Sequence, residues 1–190
     1  MARAGLTPQA VVDLAVAIVD DEGPDALTLA KVAQRAGVAT PSLYKHVDGL
    51  PALRRAVETR ATEDLARVLN AAALGVSGDA AVRSLLTAYR DHVRTHPHRA
   101  AMLAGAPAPD DPAAQAAAAS SVASLDAVVR EYGASAADRI HLIRTLRAAV
   151  HGFAVLEAQG GFGLPQDIDT SFATLLNVLV AGLAPHRRTA

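Results

Sequence analysis

The chain has 190 residues, is 51% apolar and carries a net charge of −1, enough for one medium domain or two small ones around a real core. It contains no cysteine, which excludes disulfides, thiolate nucleophiles and cysteine-ligated zinc. No run approaches the ~18 apolar residues of a membrane span, and Asp13 interrupts the mildly apolar Val11–Val19, so neither a membrane nor a secretory signal is expected and the localisation reads as cytoplasmic.

Apolar spacing and helix punctuation predict an all-α chain of about nine helices. The first runs from Pro8 to Glu22, with Thr7 as N-cap and Pro8 as first helical residue. Thr28 caps the second, in which Leu29, Val32 and Ala33 fall at i, i+3 and i+4. Gly37 stands where a left-handed residue closes a helix, because it has no Cβ to clash. Thr40 and Pro41 restart a helix at once, as N-cap and N1. Leu43 and Val47 point inward and leave Ser42, Tyr44, Lys45 and His46 mostly on other faces. Helix, short glycine turn, helix is the helix-turn-helix unit, although the spacing alone also fits any αα-hairpin.

Gly49 and Pro51 break the chain before a long helix, 51–73, whose apolar positions are Leu53, Val57, Leu65, Val68 and Leu69. Asp79 caps the next, which ends near Thr95 at His96-Pro97, and a short helix follows to Ala104. Residues 105–112 (GAPAPDDP) form a proline-rich loop. Helices over 113–132 and 136–159, a loop at 160–165 and a last helix from Ile168 to Leu183 complete the chain. The last two are unusually apolar. Ile140, Ile143, Leu146, Ala149, Val150 and Phe153 line one, and Phe172, Leu175, Leu176, Leu179 and Leu183 line the other.

The stretch AQRAGVATPSLYKHV closely resembles the signature A-x-x-x-G-V-x-x-x-x-L-Y-x-H-[FV] of the TetR family of bacterial repressors. Ala33, Gly37, Val38, Leu43, Tyr44, His46 and Val47 all match. The sharp resemblance covers about residues 8 to 65, and His151 to Pro165 resembles a C-terminal subgroup of these regulators. It implies a three-helix DNA-binding domain at 1–50. A helical effector-binding and dimerisation domain at 51–190 follows, with 51–73 as connecting helix. The last two helices would dimerise as a four-helix bundle, placing Ile143, Leu146, Val150, Phe172, Leu175, Leu176, Leu179 and Leu183 at a two-fold interface. Such a homodimer offers two recognition helices to double-stranded DNA, so its operator is expected to be an inverted repeat.

Side-chain direction and the resemblance together assign the motif. Thr40, Pro41, Ser42 and Lys45 lie where base edges are met. Lys45 can donate to guanine O6/N7, Ser42 serves either base type, and Pro41 suits a thymine methyl. Thr28, Tyr44 and His46 are expected on phosphates. Two positions depart from the family: Leu50 stands where many members have a phosphate-gripping lysine, and Ala30 where some read a base. Both suggest fewer contacts and more reliance on Lys45, Arg54 and Arg55. Between Thr28 and Arg60 six basic residues (Lys31, Arg35, Lys45, Arg54, Arg55, Arg60) face only Asp48 and Glu58, a local net charge of +4 that suits a phosphate-facing surface.

The resemblance also implies a small-molecule pocket within about Asp79 to Gln159. Three Tyr, three Phe and no Trp leave little for an aromatic cage around a cation, so an apolar effector that is uncharged or weakly anionic is expected. Candidate contacts are Tyr89, His92, His96, His98, Arg99, Met102, Arg144, His151 and Phe153. His92 and His96 have a zinc-compatible spacing, but Pro97 breaks the helix and no carboxylate or cysteine complements them, so neither metal nor other cofactor is expected. No nucleophile elbow, P-loop or dinucleotide motif occurs, which argues against an enzyme. The alternatives are an activator of the same family, a protein that mainly binds another protein, or a small-molecule binder with weak affinity for DNA.

Overall fold

The computed structural model describes residues 6–184, among which there are helices and connecting turns but no strand. The α-helices are α1 (Pro8–Glu22), α2 (Leu29–Ala36), α3 (Gly49–Ala72), α4 (Gly78–Thr95), α5 (Pro97–Ala100), α6 (Pro112–Glu131), α7 (Ala136–Ala158) and α8 (Ile168–Leu183). A six-residue 3-10 helix at Thr40–Lys45 makes nine, and two single 3-10 turns lie at Pro24–Ala26 and Ala101–Leu103.

Side-chain chemistry fixes most of the ends. The hydroxyl of Thr7 accepts from Ala10 N at 3.1 Å and that of Ser135 from Asp138 N at 3.2 Å, while the Asp167 carboxylate accepts from Thr170 N at 2.7 Å. Gly37 closes α2 at φ +67°, ψ 33°, the left-handed geometry that a Cβ disfavours. One expected cap is different. Ser77 occupies the N-cap of α4 without a side-chain bond, and Asp79 instead accepts from the buried Tyr132 hydroxyl at 2.5 Å.

Packing divides the chain into two compact units. The first comprises the residues up to Thr62 together with His98–Gln115; the second comprises Glu63–Pro97 and the residues from Ala116 onward. Packing places the division inside α3. The reason lies in α3 itself: Leu53 and Val57 belong to the first unit's core.

That core is built from Val11, Ala15, Ile18 and Val19 of α1, Leu27, Val32 and Ala33 around α2, and Leu43, Leu53 and Val57. In the second unit α4 packs against α7, and both meet α8. Leu85, Leu86 and Tyr89 of α4, Leu146 and Val150 of α7, and Phe172 and Leu183 of α8 are all buried there. No helix among the described residues is long and apolar enough to cross a membrane.

Candidate functional site

The motif hangs on two backbone devices. Thr28 Oγ accepts from Lys31 N at 3.2 Å, and Gly37 N donates back to the α2 carbonyls. The segment after the turn is tighter than an α-helix: Ser42 N donates to Ala39 O at 2.9 Å and His46 N to Leu43 O at 2.8 Å. Thr40 is therefore the first helical residue and not the N-cap that the sequence suggests. Extended Ala39 takes that place, and its carbonyl closes the first turn without help from a side chain.

A period of three residues sorts the side chains into rows. Thr40, Leu43 and His46 share one, in which Leu43 is fully buried and its neighbours are half-exposed. Pro41 and Tyr44 form a second row, both exposed, Tyr44 at 59%. Ser42 and Lys45 form the third, half-exposed and exposed. Burial of Leu43, with Val38 and Val47 packed beside the core, turns these rows outward. A polar pair, an apolar edge and an imidazole thus come from six successive positions.

The basic residues do not all face solvent as the charge count suggests. Lys31 Nζ lies 2.6 Å from Glu22, and Arg35 reaches Asp21 at 2.8 Å and Glu22 at 3.3 Å. The Lys31 ammonium beside it holds the Glu22 carboxyl below the usual carboxylate range. Arg60 pairs with Asp13 at 3.3 Å. These three tie α2 and α3 to α1, so the +4 estimate overstates the surface free to meet phosphate. Lys45, Arg54 and Arg55 make no ion pair among the described residues. Leu50, which replaces the family's lysine, packs beside the first unit's core, and Ala30 is exposed.

The expected effector contacts fall in both units. Arg99 and Met102 belong to the first, where Arg99 makes a two-pronged pair with Asp20 of α1 at 2.6 and 2.5 Å and Met102 packs beside the core. His98 also lies in this unit, against Gly23 of the turn after α1. In the second unit the Tyr89 hydroxyl meets His151 Nδ1 at 2.9 Å. The rings of His92, which is buried, and His96 lie 5.2 Å apart. Arg144 is exposed. No group of three or more His, Cys, Asp or Glu able to hold a metal ion occurs among the described residues.

Phe153 takes part in a cluster that sequence reasoning missed. All three phenylalanines converge, with Phe153 4.9 Å from Phe162 and 5.2 Å from Phe172. Arg90 stacks 4.5 Å from the Phe172 centroid, donates to both Glu157 oxygens at 2.6 Å and reaches Asp169 at 2.7 Å. The chain's one cluster of phenylalanines already holds a cation of its own. The available signal was an arginine set among the apolar positions of α4, with a carboxylate near the end of α7.

The eight residues expected at a dimer interface divide sharply. Ile143, Leu146, Val150, Phe172, Leu176 and Leu183 are buried within the single chain, and Leu175 and Leu179 are half-buried. The six are thus core residues of their own unit. The exposed apolar side chains on α7 and α8 are Ile140 at 53%, Leu156 at 48% and Val178 at 64%.

Comparison with known proteins agrees with this architecture. The family profile described as "Bacterial regulatory proteins, tetR family" matches residues 11–48, and "Tetracyclin repressor-like, C-terminal domain" matches residues 82–179. An uncharacterized HTH-type transcriptional regulator of Mycobacterium tuberculosis is 36% identical over 189 residues, covering 98% of this chain and 84% of the relative. Among solved structures, a protein of unknown function from Rhodococcus sp. RHA1 aligns with a TM-score of 0.81 at 22% identity, covering 96% of this chain and 97% of that one. A TetR variant from Acinetobacter baumannii, solved in complex with minocycline, aligns at 0.73 and 22% identity, covering 97% of this chain and 100% of that one.

Proposed function

Since the chain belongs to the tetR family of bacterial regulatory proteins and is a helix-turn-helix transcriptional regulator, not an enzyme, we propose that it acts as a homodimeric repressor. In this reading it binds an inverted-repeat operator in the cytoplasm and leaves it when a small apolar molecule occupies the second unit. The observation that carries the reading is the row arrangement of the 3-10 helix, which buries Leu43 and turns Lys45, Ser42, Pro41 and Tyr44 outward. Lys45 and Ser42 read base edges, helped by Thr40 and Pro41; Tyr44, His46 and Thr28 hold phosphates and set the register. The free amides at the start of α2 beside Thr28 add a phosphate site. A second copy packs against α7 and α8 through Val178, Leu175, Leu179, Ile140 and Leu156.

An effector pocket fits the second unit, and a protein of this fold is known in complex with minocycline. Its occupant here is apolar and not cationic, because Arg90 fills the phenylalanine cluster and the Tyr132 hydroxyl is bound to Asp79. Selection from a random DNA pool with purified protein tests the central reading. Enrichment of one inverted repeat is expected; enrichment of nothing, or of a single unrepeated element, overturns it.

A further inference from the structure

The Tyr89–His151 pair joins α4 to α7 inside the second unit, its rings meeting nearly edge-on at 83°. Burial pushes the phenol up to about 12 and holds the imidazole below its ordinary value, so at neutral pH both groups are uncharged. A phenol that donates to Nδ1 requires the imidazole proton on Nε2. In that tautomer the Nε2–H is left as a donor, on a side chain that is half-buried rather than sealed, whereas Tyr89 itself is buried. Arg147 stands one turn earlier on α7, and its charge acts on both the phenol and the imidazole. Arg144, exposed and without an ion pair among the described residues, lies three positions before Arg147. Residues 144, 147 and 151 are spaced i, i+3 and i+7, so they share one side of the helix.

We propose that His151 and Arg147 bind the carboxylate of a small apolar acid, with Tyr89 as a positioning residue that fixes the imidazole tautomer. This rests on the second unit being the ligand unit of a regulator, and it names the ligand's chemistry. An imidazole N–H beside a guanidinium makes short, charge-assisted bonds to a carboxylate. An alcohol brings no negative charge to meet the guanidinium, and the pair repels an amine. Tyr89, too buried to meet the ligand, acts through His151.

The test uses the full chain and two matched probe series: decanoic acid, decanol and decylamine, and 1-naphthoic acid, 1-naphthalenemethanol and 1-naphthylmethylamine. Thermal shift and titration calorimetry with at least one acid should give saturable binding, at least tenfold tighter than its matched alcohol, with no binding of the amines. Arg147→Gln, on an exposed side chain, should weaken that acid at least tenfold and leave the alcohol unchanged. Tyr89→Phe keeps the ring, should lower the share of the Nε2–H tautomer in the 15N spectrum of His151 toward that of a free histidine, and should weaken the acid several-fold. The proposal is overturned if neither acid binds, if acids bind no better than their alcohols, or if Arg147→Gln binds them as well as the parent. None of these readouts needs DNA. A protein that binds acids but selects no operator would therefore refute the proposed function and leave this site standing.

Discussion

Within the motif, the proposed roles of reading bases and holding phosphates fall to different residues. Lys45 is exposed and makes no ion pair among the described residues, while Lys31 and Arg35 are tied to α1. Lys45→Ala should therefore cost about 1–3 kcal/mol on the selected operator and relax preference at one position per half-site. Lys31→Ala should leave operator affinity nearly intact and change stability by less than about 1 kcal/mol, as half-exposed pairs do. Fluorescence anisotropy on operator and random duplexes checks both. Equal loss on the two DNAs for Lys45→Ala removes its base-reading role. The sequence already displayed the caps at Thr7, Thr28 and Gly37, because each depends on a local residue type. It did not display the ion pairs of Lys31, Arg35 and Arg60, whose partners become neighbours only when α1 packs.

Among the elements, the 3-10 segment and the α4–α7–α8 junction matter most. Pro41 and the extended Ala39 announce a helix start, but the choice of i+3 over i+4 bonding depends on how deeply Leu43 is drawn into the core. Periodicity for an α-helix thus found the element and missed its pitch. At the junction, Arg90 and Glu157 are nearly buried and mutually bound. Glu157→Ala leaves the guanidinium with only the exposed Asp169 carboxylate and should cost about 1.5–3 kcal/mol in urea unfolding, whereas replacing both Arg90 and Glu157 by Met should recover most of the loss. An unchanged midpoint for Glu157→Ala would show that Asp169 alone satisfies Arg90. His151 adds a pH dependence. Its folded pKa lies below the unfolded value of about 6.5, so the unfolded chain takes up the proton first. The contribution is complete above about pH 6.5 and is lost as pH falls through the folded value. Melting profiles from pH 7.5 downward should show this decline in the parent and a smaller one in His151→Asn; identical profiles would contradict it.

For the whole molecule, the distinction between core and interface decides how assembly is tested. In the proposed dimer both lie on the same two apolar helices, which is why the sequence alone merged them: α7 and α8 each need one face for their own unit, and spacing does not say which. Leu176 is buried in the chain, so Leu176→Glu should unfold the second unit. Val178, two positions on and exposed, offers the cleaner variant: Val178→Glu should remain folded by circular dichroism and run as a monomer in light scattering. A folded Val178→Glu dimer would place the interface elsewhere. In the proposed dimer each protomer would carry one 3-10 recognition helix, and two half-sites bound together hold far more tightly than one. The most direct measurement is the affinity of the intact protein for its selected operator, for a single half-site and for a scrambled duplex at one salt concentration. The repressor reading requires two chains per operator and binding at least about 10³-fold tighter than to the scrambled duplex, with the half-site well below the operator. Equal affinity for all three would contradict it.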